Sequence, residues 1–414
     1  MDSFIYTLIK ILKFFIKPFR KQDYSANEPI ILDMQNSMKP KKYSVAEAIV
    51  KATEIAESLI SPLGEFHWRG LSNPDKVGIG SNGKFHAHEQ GDATLHTGSY
   101  LASLAYKYKN LRDSETLESI FKILEYFEYH IQSNGCMGRN FVKDEFYLKF
   151  PKSEQNGSGS YNLFNEAEAA HYSMRYRKVI INSEVYWQRY DVSVDAISHA
   201  LFGLFSVYKF VPNLRDRVKP IILSQYNYYK KTDWKIIDDE GNRVRYGDHS
   251  PSINFFSRVN ELIFEFVETG KIEWSWWDKA VINGVPSYIG GLNVNYFNSF
   301  INICQLLVLH EMGVDVKKAI SRLRDEMIEF DDNWLLNSAY SYITGQSVKR
   351  CEDLSEWYLN YGHPKGTILS NKIVPQYLRD GYNKWEFTPN RSMVVRYGDE
   401  ITGNHDLLLA YWVR

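Results

Sequence analysis

Residues 92–108 read DATLHTGSYLASLAYKY, and residues 195–210 read DAISHALFGLFSVYKF. Both stretches begin with the pattern D-A-x-x-H, and both carry a Leu nine residues and a Ser eleven residues after the Asp. Because residues four apart lie one turn apart on a helix, the Asp and the His of each stretch should project to the same side. Repetition of one helix type is typical of folds that stack a single supersecondary unit several times.

Helical periodicity recurs from residue 44 to the end of the chain, largely in pairs joined by short turns. The sequence predicts helices at about 44–60, 92–109, 114–133, 194–211, 214–231, 252–269, 295–312, 316–330, 333–344, 348–360 and 406–414. Strand-like segments are few, and the best are 179–182 and 392–397. Short-linked antiparallel helices without a parallel-sheet pattern favour helix-on-helix packing. We therefore predict an all-α domain over 44–414, an (α/α)6 toroid of paired antiparallel helices with a few short strands.

The N-terminal segment 4–21, FIYTLIKILKFFIKPFRK, combines apolar residues with regularly spaced lysines. A membrane-spanning helix needs about 20 mostly apolar residues, and lysines through the middle of this segment argue against one. The segment does not begin with basic residues or end at a small-residue cleavage site, as a secretory signal would. We predict that 1–21 is a basic amphipathic helix on an anionic membrane surface, followed by a polar linker at 22–43. An uncleaved signal anchor and a helix packed on the domain are the alternatives.

Charge and cysteine usage restrict the function classes. The formal net charge is -1, so the chain has no basic field for nucleic acid, and we predict no nucleic-acid partner. The three cysteines, Cys136, Cys304 and Cys351, fit neither a zinc spacing nor a disulfide framework, which favours a reducing compartment. We therefore expect a peripheral protein on the cytoplasmic face of the membrane, with an exported, membrane-anchored protein as the alternative. No cofactor-binding motif is found, and neither a cofactor nor a metal is predicted.

Polar residues gather where the predicted helices begin. If the inner helices of a toroid all start at the same end, these residues converge on one cleft. The catalytic candidates are the repeated Asp and His residues and one preceding Asp: Asp92, Asp195, Asp191, His96 and His199. The substrate-binding candidates lie in loops and at other helix starts: Trp68, Arg69, Arg189, Tyr246, Asp248, His249 and Asn295. For each repeated Asp a helix N-cap is the structural alternative, and two Asp with two His could also serve as metal ligands.

Several of these segments resemble six-hairpin, α/α-toroid carbohydrate-active enzymes. Gly91 to Ala102 and Arg189 to Leu204 look like inner-helix starts, and Asp406 to Arg414 is similar to the closing helix of uncharacterised bacterial members. Unsaturated glucuronyl hydrolases are the characterised relatives this resemblance suggests. It implies that an Asp at an inner-helix start acts as general acid and base, here Asp92 or Asp191/Asp195. The chain departs from that group because it lacks a clear W-x-R-G-x-G-W element, of which His67 to Gly70 is a partial match.

The sequence thus predicts a glycoside hydrolase acting on a bacterial poly- or oligosaccharide, with uronate as one candidate component. Such cleavage needs two carboxyl groups across the bond, and Asp92 with Asp195 or Asp191 is the predicted pair. The repeated histidines would tune or relay protons, and arginines such as Arg189 would hold a sugar carboxylate. A polysaccharide lyase relying on Tyr246 and His249 is one alternative. A non-enzymatic glycan-binding or scaffold protein at the membrane surface is the other.

Overall fold

The structure is a computed structural model that describes residues 45–66, 69–71, 93–147, 176–252, 255–276, 278–279, 296–327, 334–348, 400–402 and 405–413. Helix accounts for 66% of them, and the strands are few, short and antiparallel, which confirms the predicted class. The chain divides into two compact units, Ala56–Ile272 and Met1–Ile55 with Glu273–Arg414. The predicted membrane helix 1–21, the linker 22–43 and the strand 392–397 lie outside the described residues, as does nearly all of the helix predicted at 348–360.

The short helix Asp144–Tyr147 was not predicted, and the other helices of the described residues follow the predicted bounds within about three residues. They are α1 Val45–Ser58, α2 Ala93–Leu111, α3 Ser114–Ile131, α4 Asp144–Tyr147, α5 Val194–Phe210, α6 Arg215–Thr232, α7 Phe255–Thr269, α8 Tyr296–Glu311, α9 Lys317–Met327, α10 Trp334–Thr344 and α11 His405–Trp412. The strands are β1 Arg69–Leu71, β2 Asn140–Lys143, β3 Tyr176–Ile181, β4 Glu184–Arg189, β5 Lys235–Ile237, β6 Arg243–Asp248 and β7 Glu400–Thr402.

Burial separates the helices of the Ala56–Ile272 unit into two kinds. In α2 every residue from Ala93 to Tyr106 is buried, and in α5 every residue from Ala196 to Val207 is buried. A helix buried on all sides belongs to the interior. The helices α3 and α6 instead bury one stripe at spacings of three and four residues and leave the opposite face to solvent. The repeated sequence pattern therefore marks the two interior helices.

Each interior helix is followed by an amphipathic helix that turns back along it. The α2–α3 turn is tight because Arg112 takes a left-handed conformation (φ 56°) and Asp113 caps α3 through the backbone N of Thr116. The Thr94 hydroxyl at the start of α2 lies 2.7 Å from the Tyr126 hydroxyl near the end of α3, so this pair is antiparallel. Between α5 and α6 a 3-10 turn at Pro212–Leu214 bends the chain by 117°.

Short strands connect these helix pairs. The antiparallel order is β2-β4-β3, and β3 joins β4 through Asn182 and Ser183, both with positive φ, as a two-residue hairpin turn requires. The hairpin of β5 and β6 lies between α6 and α7. The hairpin predicted around 179–182 is confirmed. The segments that hold Arg189 and Asp248 are the ends of strands β4 and β6, rather than parts of helix starts.

The other unit contains α8 to α11 and, up to Ile55, most of α1. In it α10 packs against α8, α9 and α11. Arg324 of α9 donates to the buried side chain of Asn337 in α10 at 3.1 Å, and the ring of Phe300 in α8 lies edge-on to His405 of α11. Across both units, none of the described helices is by itself long and apolar enough to cross a bilayer. Taken together, α5 and α6 would reach that length and hydropathy, but they are bent at the 3-10 turn.

Candidate active site

The two interior helices with the repeated pattern begin at the same end of the Ala56–Ile272 unit. Arg139, just before β2, contacts both starts: its carbonyl accepts from the Thr94 backbone N at 2.9 Å, and its Nη2 donates to Ser193 Oγ at 3.0 Å. The far ends of the helices also meet, because Arg112 Nη1 donates to the Phe210 carbonyl at 3.0 Å. Helices α2 and α5 are therefore parallel, as the predicted convergence of the repeats requires.

These helices cross in direct backbone contact. A Cβ atom on Gly98 would lie 2.2 Å from the His199 carbonyl oxygen, and one on Gly203 would lie 2.3 Å from the Gly98 carbonyl oxygen. Only glycine allows this approach. The crossing brings His199 Nδ1 to 2.6 Å from Ser99 Oγ, which also lies 3.0 Å from the Leu95 carbonyl oxygen. When the Ser99 hydroxyl donates its one proton to the Leu95 carbonyl oxygen, His199 Nδ1 must be the donor in its contact with Ser99 Oγ.

Of the two Asp residues of the repeat, only Asp195 lies among the described residues. Asp195 lies half-buried in the first turn of α5, whose N-cap is Ser193, so Asp195 is not the N-cap. Asp92 lies outside the described residues. His96 and His199 are both buried on their helices. The predicted pairing of the Asp92 and Asp195 carboxylates across one cleft stays a prediction.

Asp191 and Arg189 bind each other. Arg189 Nε donates to Asp191 Oδ1 at 2.6 Å, and Nη2 donates to Oδ2 at 3.1 Å. The side chains are 9% and 1% exposed, so this is a buried, bidentate ion pair. The two residues are two positions apart at the end of β4, which places both on one side of the chain. The structure thus gives both candidates a partner within the protein, where the sequence assigned them to catalysis and to substrate.

His249 and Asp248 lie on the segment that follows β6. His249 Nδ1 lies 2.5 Å from the Tyr229 hydroxyl, and its Nε2 lies 3.2 Å from the Val192 carbonyl oxygen, just before α5. His249 therefore lies near the start of α5, and both ring nitrogens have protein neighbours. Asp248 accepts from the backbone N and hydroxyl of Ser250, which lowers the pKa of its carboxyl.

The other substrate-binding candidates are described only in part. Arg69 lies in β1 and Tyr246 lies in β6, but their side chains are outside the description. Trp68 and Asn295 lie outside the described residues altogether. Within the described part of the chain no group of three or more His, Cys, Asp or Glu side chains could hold a metal ion.

Glu65 is a candidate that the sequence did not single out. It is 2% exposed, and the Phe141 backbone N of β2 donates to its carboxylate. The neighbouring Phe66 backbone N donates to Thr97 Oγ1 of α2 at 2.9 Å. Glu65 is thus tied both to β2, two residues from Arg139, and to the beginning of α2. It lies at the end of the unit where α2 and α5 start.

The surroundings of Glu65 favour its protonated form. Burial raises the pKa of its carboxyl well above the usual value, and the hydrogen bond from Phe141 offsets only part of that rise. Burial also raises the pKa of Tyr126, and Glu65 in its ionised form would add to this rise, so the two groups lie near each other. Among the residues that the structure describes, Glu65 Oε1 and both amide atoms of the fully buried Asn140 have no hydrogen-bond partner.

A carboxyl group that stays protonated can donate a proton, and a half-buried carboxylate can accept one or activate water. The described end of α2 and α5 offers one group of each kind, Glu65 and Asp195. Between residues 62 and 91 the sequence analysis singled out His67, Trp68 and Arg69. It did not single out Glu65, because the burial that distinguishes Glu65 comes from tertiary packing. Comparison of the chain with protein-family models, with curated proteins and with solved structures finds no match.

Proposed function

We propose that this chain is a glycoside hydrolase whose active site lies where α2 and α5 begin, and that its substrate is a bacterial poly- or oligosaccharide. One observation carries the proposal. The two copies of D-A-x-x-H belong to parallel, neighbouring helices that start together around Arg139. A helix start favours a carboxylate through the positive end of its dipole. Cleavage of a glycosidic bond needs two carboxyl groups, and two such starts side by side can supply at least one of them.

We extend the proposal to the fold as an (α/α)6 toroid. Two neighbouring helix pairs, α2 with α3 and α5 with α6, support this extension. Helices α2 and α5 are parallel and buried on all sides, and each is followed by an amphipathic helix that turns back. In a toroid of this kind the inner helices start at one end, so polar residues on the connections before them surround one opening. The strands β2 to β6 are such connections.

In this proposal Asp92 and Asp195 carry the carboxylate chemistry on the sugar. His199 has a positioning role, because its ring is held by Ser99 at the crossing of α2 and α5. Arg189 is paired with Asp191, so it holds the connection before α5 and is not assigned to a uronate. The lyase alternative relies on Tyr246 and His249 as candidate bases, and Tyr229 and Val192 contact both ring nitrogens of His249, which leaves that alternative with Tyr246. We therefore prefer hydrolysis.

The test is a digestion screen of the full-length protein on neutral and uronate-containing bacterial polysaccharides, read as new reducing ends. Asp195→Asn should cut turnover at least about a hundredfold, since a positioned acid or base contributes about 10² to 10⁴. Its melting temperature should stay within a few degrees. The matched control is Asp216→Asn, an exposed Asp in the first turn of α6, which should change neither quantity.

Three outcomes would contradict the proposal. Full turnover by Asp195→Asn would remove the carboxylate from the chemistry. Product absorbance from a new carbon–carbon double bond would indicate a lyase. Glycan binding without any cleavage, unaffected by the Asp92→Asn and Asp195→Asn exchanges, would indicate the non-enzymatic alternative.

A further inference from the structure

The carboxyl group of Glu65 has no evident structural reason to be acidic. The Glu65 carboxyl group accepts one described hydrogen bond, from the Phe141 backbone N. A glutamine side-chain oxygen would accept that bond equally well. Glu65 Oε1 has no partner among the described residues, and an unpaired buried polar atom is rare in folded proteins because its desolvation is not compensated. A function that needs a proton on this carboxyl would explain why the residue is Glu.

The position of Glu65 links it to the end of the unit where α2 and α5 start. Along β2, Arg139 contacts the starts of both helices, Asn140 holds an unpaired buried amide, and the Phe141 backbone N contacts Glu65. Thr97, in the second turn of α2, accepts from the residue that follows Glu65. A segment of three residues thus joins the two helix starts and the carboxyl.

We propose that Glu65 is the proton donor to the leaving group of the glycosidic bond, and that Asp195 or Asp92 activates the attacking water. This inference rests on the proposed hydrolase function and names the acid of that site. Two titratable groups near the carboxyl, Tyr126 and His130, are buried. Burial lowers the pKa of His130 to about 3, so its ring is neutral at neutral pH and does not rival Glu65 as the acid.

The reaction balances with groups of this chain and one water. The Glu65 proton passes to the glycosidic oxygen as the bond from that oxygen to the anomeric carbon breaks, and the bonding electrons stay on the oxygen. The water oxygen bonds to the anomeric carbon, and its proton passes to the carboxylate of Asp195 or Asp92. Return of one proton from that carboxylate through solvent to Glu65 restores both groups. Asn140 would position a sugar hydroxyl with its free amide.

The acidity of the leaving alcohol provides a test of whether Glu65 is the proton donor. A proton donor matters greatly when the leaving alcohol is weakly acidic and little when it is strongly acidic. We would compare 2,4-dinitrophenyl and methyl glycosides of the sugar that the wild-type protein releases. Glu65→Gln keeps the acceptor for Phe141. It should lower kcat at least about a hundredfold on the methyl glycoside and less than about tenfold on the dinitrophenyl glycoside.

The ratio of the two rates does not depend on the folded fraction of the variant, so partial misfolding leaves the result interpretable. The control is Glu128→Gln on α3, whose carboxylate is paired with Arg217 and should give no dependence on the leaving group. Equal loss on both glycosides, or no loss on either, would overturn the assignment of Glu65 while wild-type cleavage still supports the hydrolase. Absence of cleavage by the wild-type protein would instead remove the proposed function, and this inference with it.

Discussion

Replacement of Gly98 by alanine tests whether α2 and α5 are in backbone contact. Elsewhere in a helix this exchange stabilises by about 1 kcal/mol, because alanine restricts the unfolded chain and favours helix. Here the new Cβ would lie 2.2 Å from the His199 carbonyl oxygen and 2.4 Å from its carbonyl carbon. Ordinary contacts begin at 3.4 Å, so the helices must separate by about 1.2 Å (3.4 minus 2.2).

The obstacle is backbone inside a buried helix, so it cannot rotate away as a flexible side chain would. Overpacking of a core by one methylene costs about 1–3 kcal/mol, and occasionally more. Separation also stretches the hydrogen bond between Ser99 and His199, a contribution of about 1 kcal/mol. After subtraction of the gain in helix propensity, we expect Gly98→Ala to lower the free energy of unfolding by about 1–3 kcal/mol.

Urea unfolding measures this directly, with Glu118→Ala on the exposed face of α3 as a control for helix propensity. Gly203→Ala should also destabilise, because its Cβ would lie 2.3 Å from the Gly98 carbonyl oxygen. The double variant should lose less than the sum, since the first exchange already separates the helices. A neutral or stabilising Gly98→Ala would refute the backbone contact, and with it the placing of the repeated pattern on adjoining helices.

Three further predictions concern other parts of the chain. Arg189→Met should cost about 3–5 kcal/mol by removing the bidentate cation from the buried Asp191 carboxylate, and Arg189→Met with Asp191→Leu should recover much of that in urea unfolding. Burial lowers the pKa of His130 to about 3 and of His405 to about 4, so the unfolded chain takes up their protons first below about pH 6.5. Acidification from pH 7.5 to 5 should therefore destabilise the wild type more than His130→Gln or His405→Gln, and equal losses would contradict this. The full-length chain should bind anionic vesicles through residues 1–21 at low salt and dissociate at high salt, whereas salt-independent binding would indicate insertion.

The helices could be predicted because each is long enough to show a 3.6-residue period. The strands could not be predicted as well, because β2 has four residues and β5 three, too few to establish an alternation. Because β4 was not predicted, the pairing of Arg189 with Asp191 was missed. β4 ends at Arg189, and Asp191 lies just past it, where the Val192 backbone N donates to the Tyr190 carbonyl, so the pairing of Arg189 with Asp191 depends on where the strand ends. Without the strand they appeared to be two independent functional residues.

The convergence of the repeats could be predicted from the sequence, whereas the group that joins them could not. Arg139 lies in a Gly- and Asn-rich loop, and no local pattern indicates that its carbonyl and its guanidinium reach two different helix starts. Glu65 is hidden for a related reason: burial is a property of packing, and the sequence around it, Gly64-Glu65-Phe66, is that of an ordinary turn.

The cost of the unpaired groups near Arg139 is itself an argument about function. A buried polar atom without a partner costs about 1–3 kcal/mol, and Asn140 carries two while Glu65 carries one. An apolar residue of similar size at Asn140 would avoid that cost, so stability alone does not account for the amide. Sequences violate packing rules mainly where a site needs them to. Buried amides without a hydrogen-bond partner among the described residues also occur on α8 of the other unit, at Asn302 and Gln305. At the start of α2 and α5, however, Asn140 directly precedes Phe141, whose backbone N neighbours a carboxyl that burial favours in its protonated form, and a proton-donating site requires such a carboxyl.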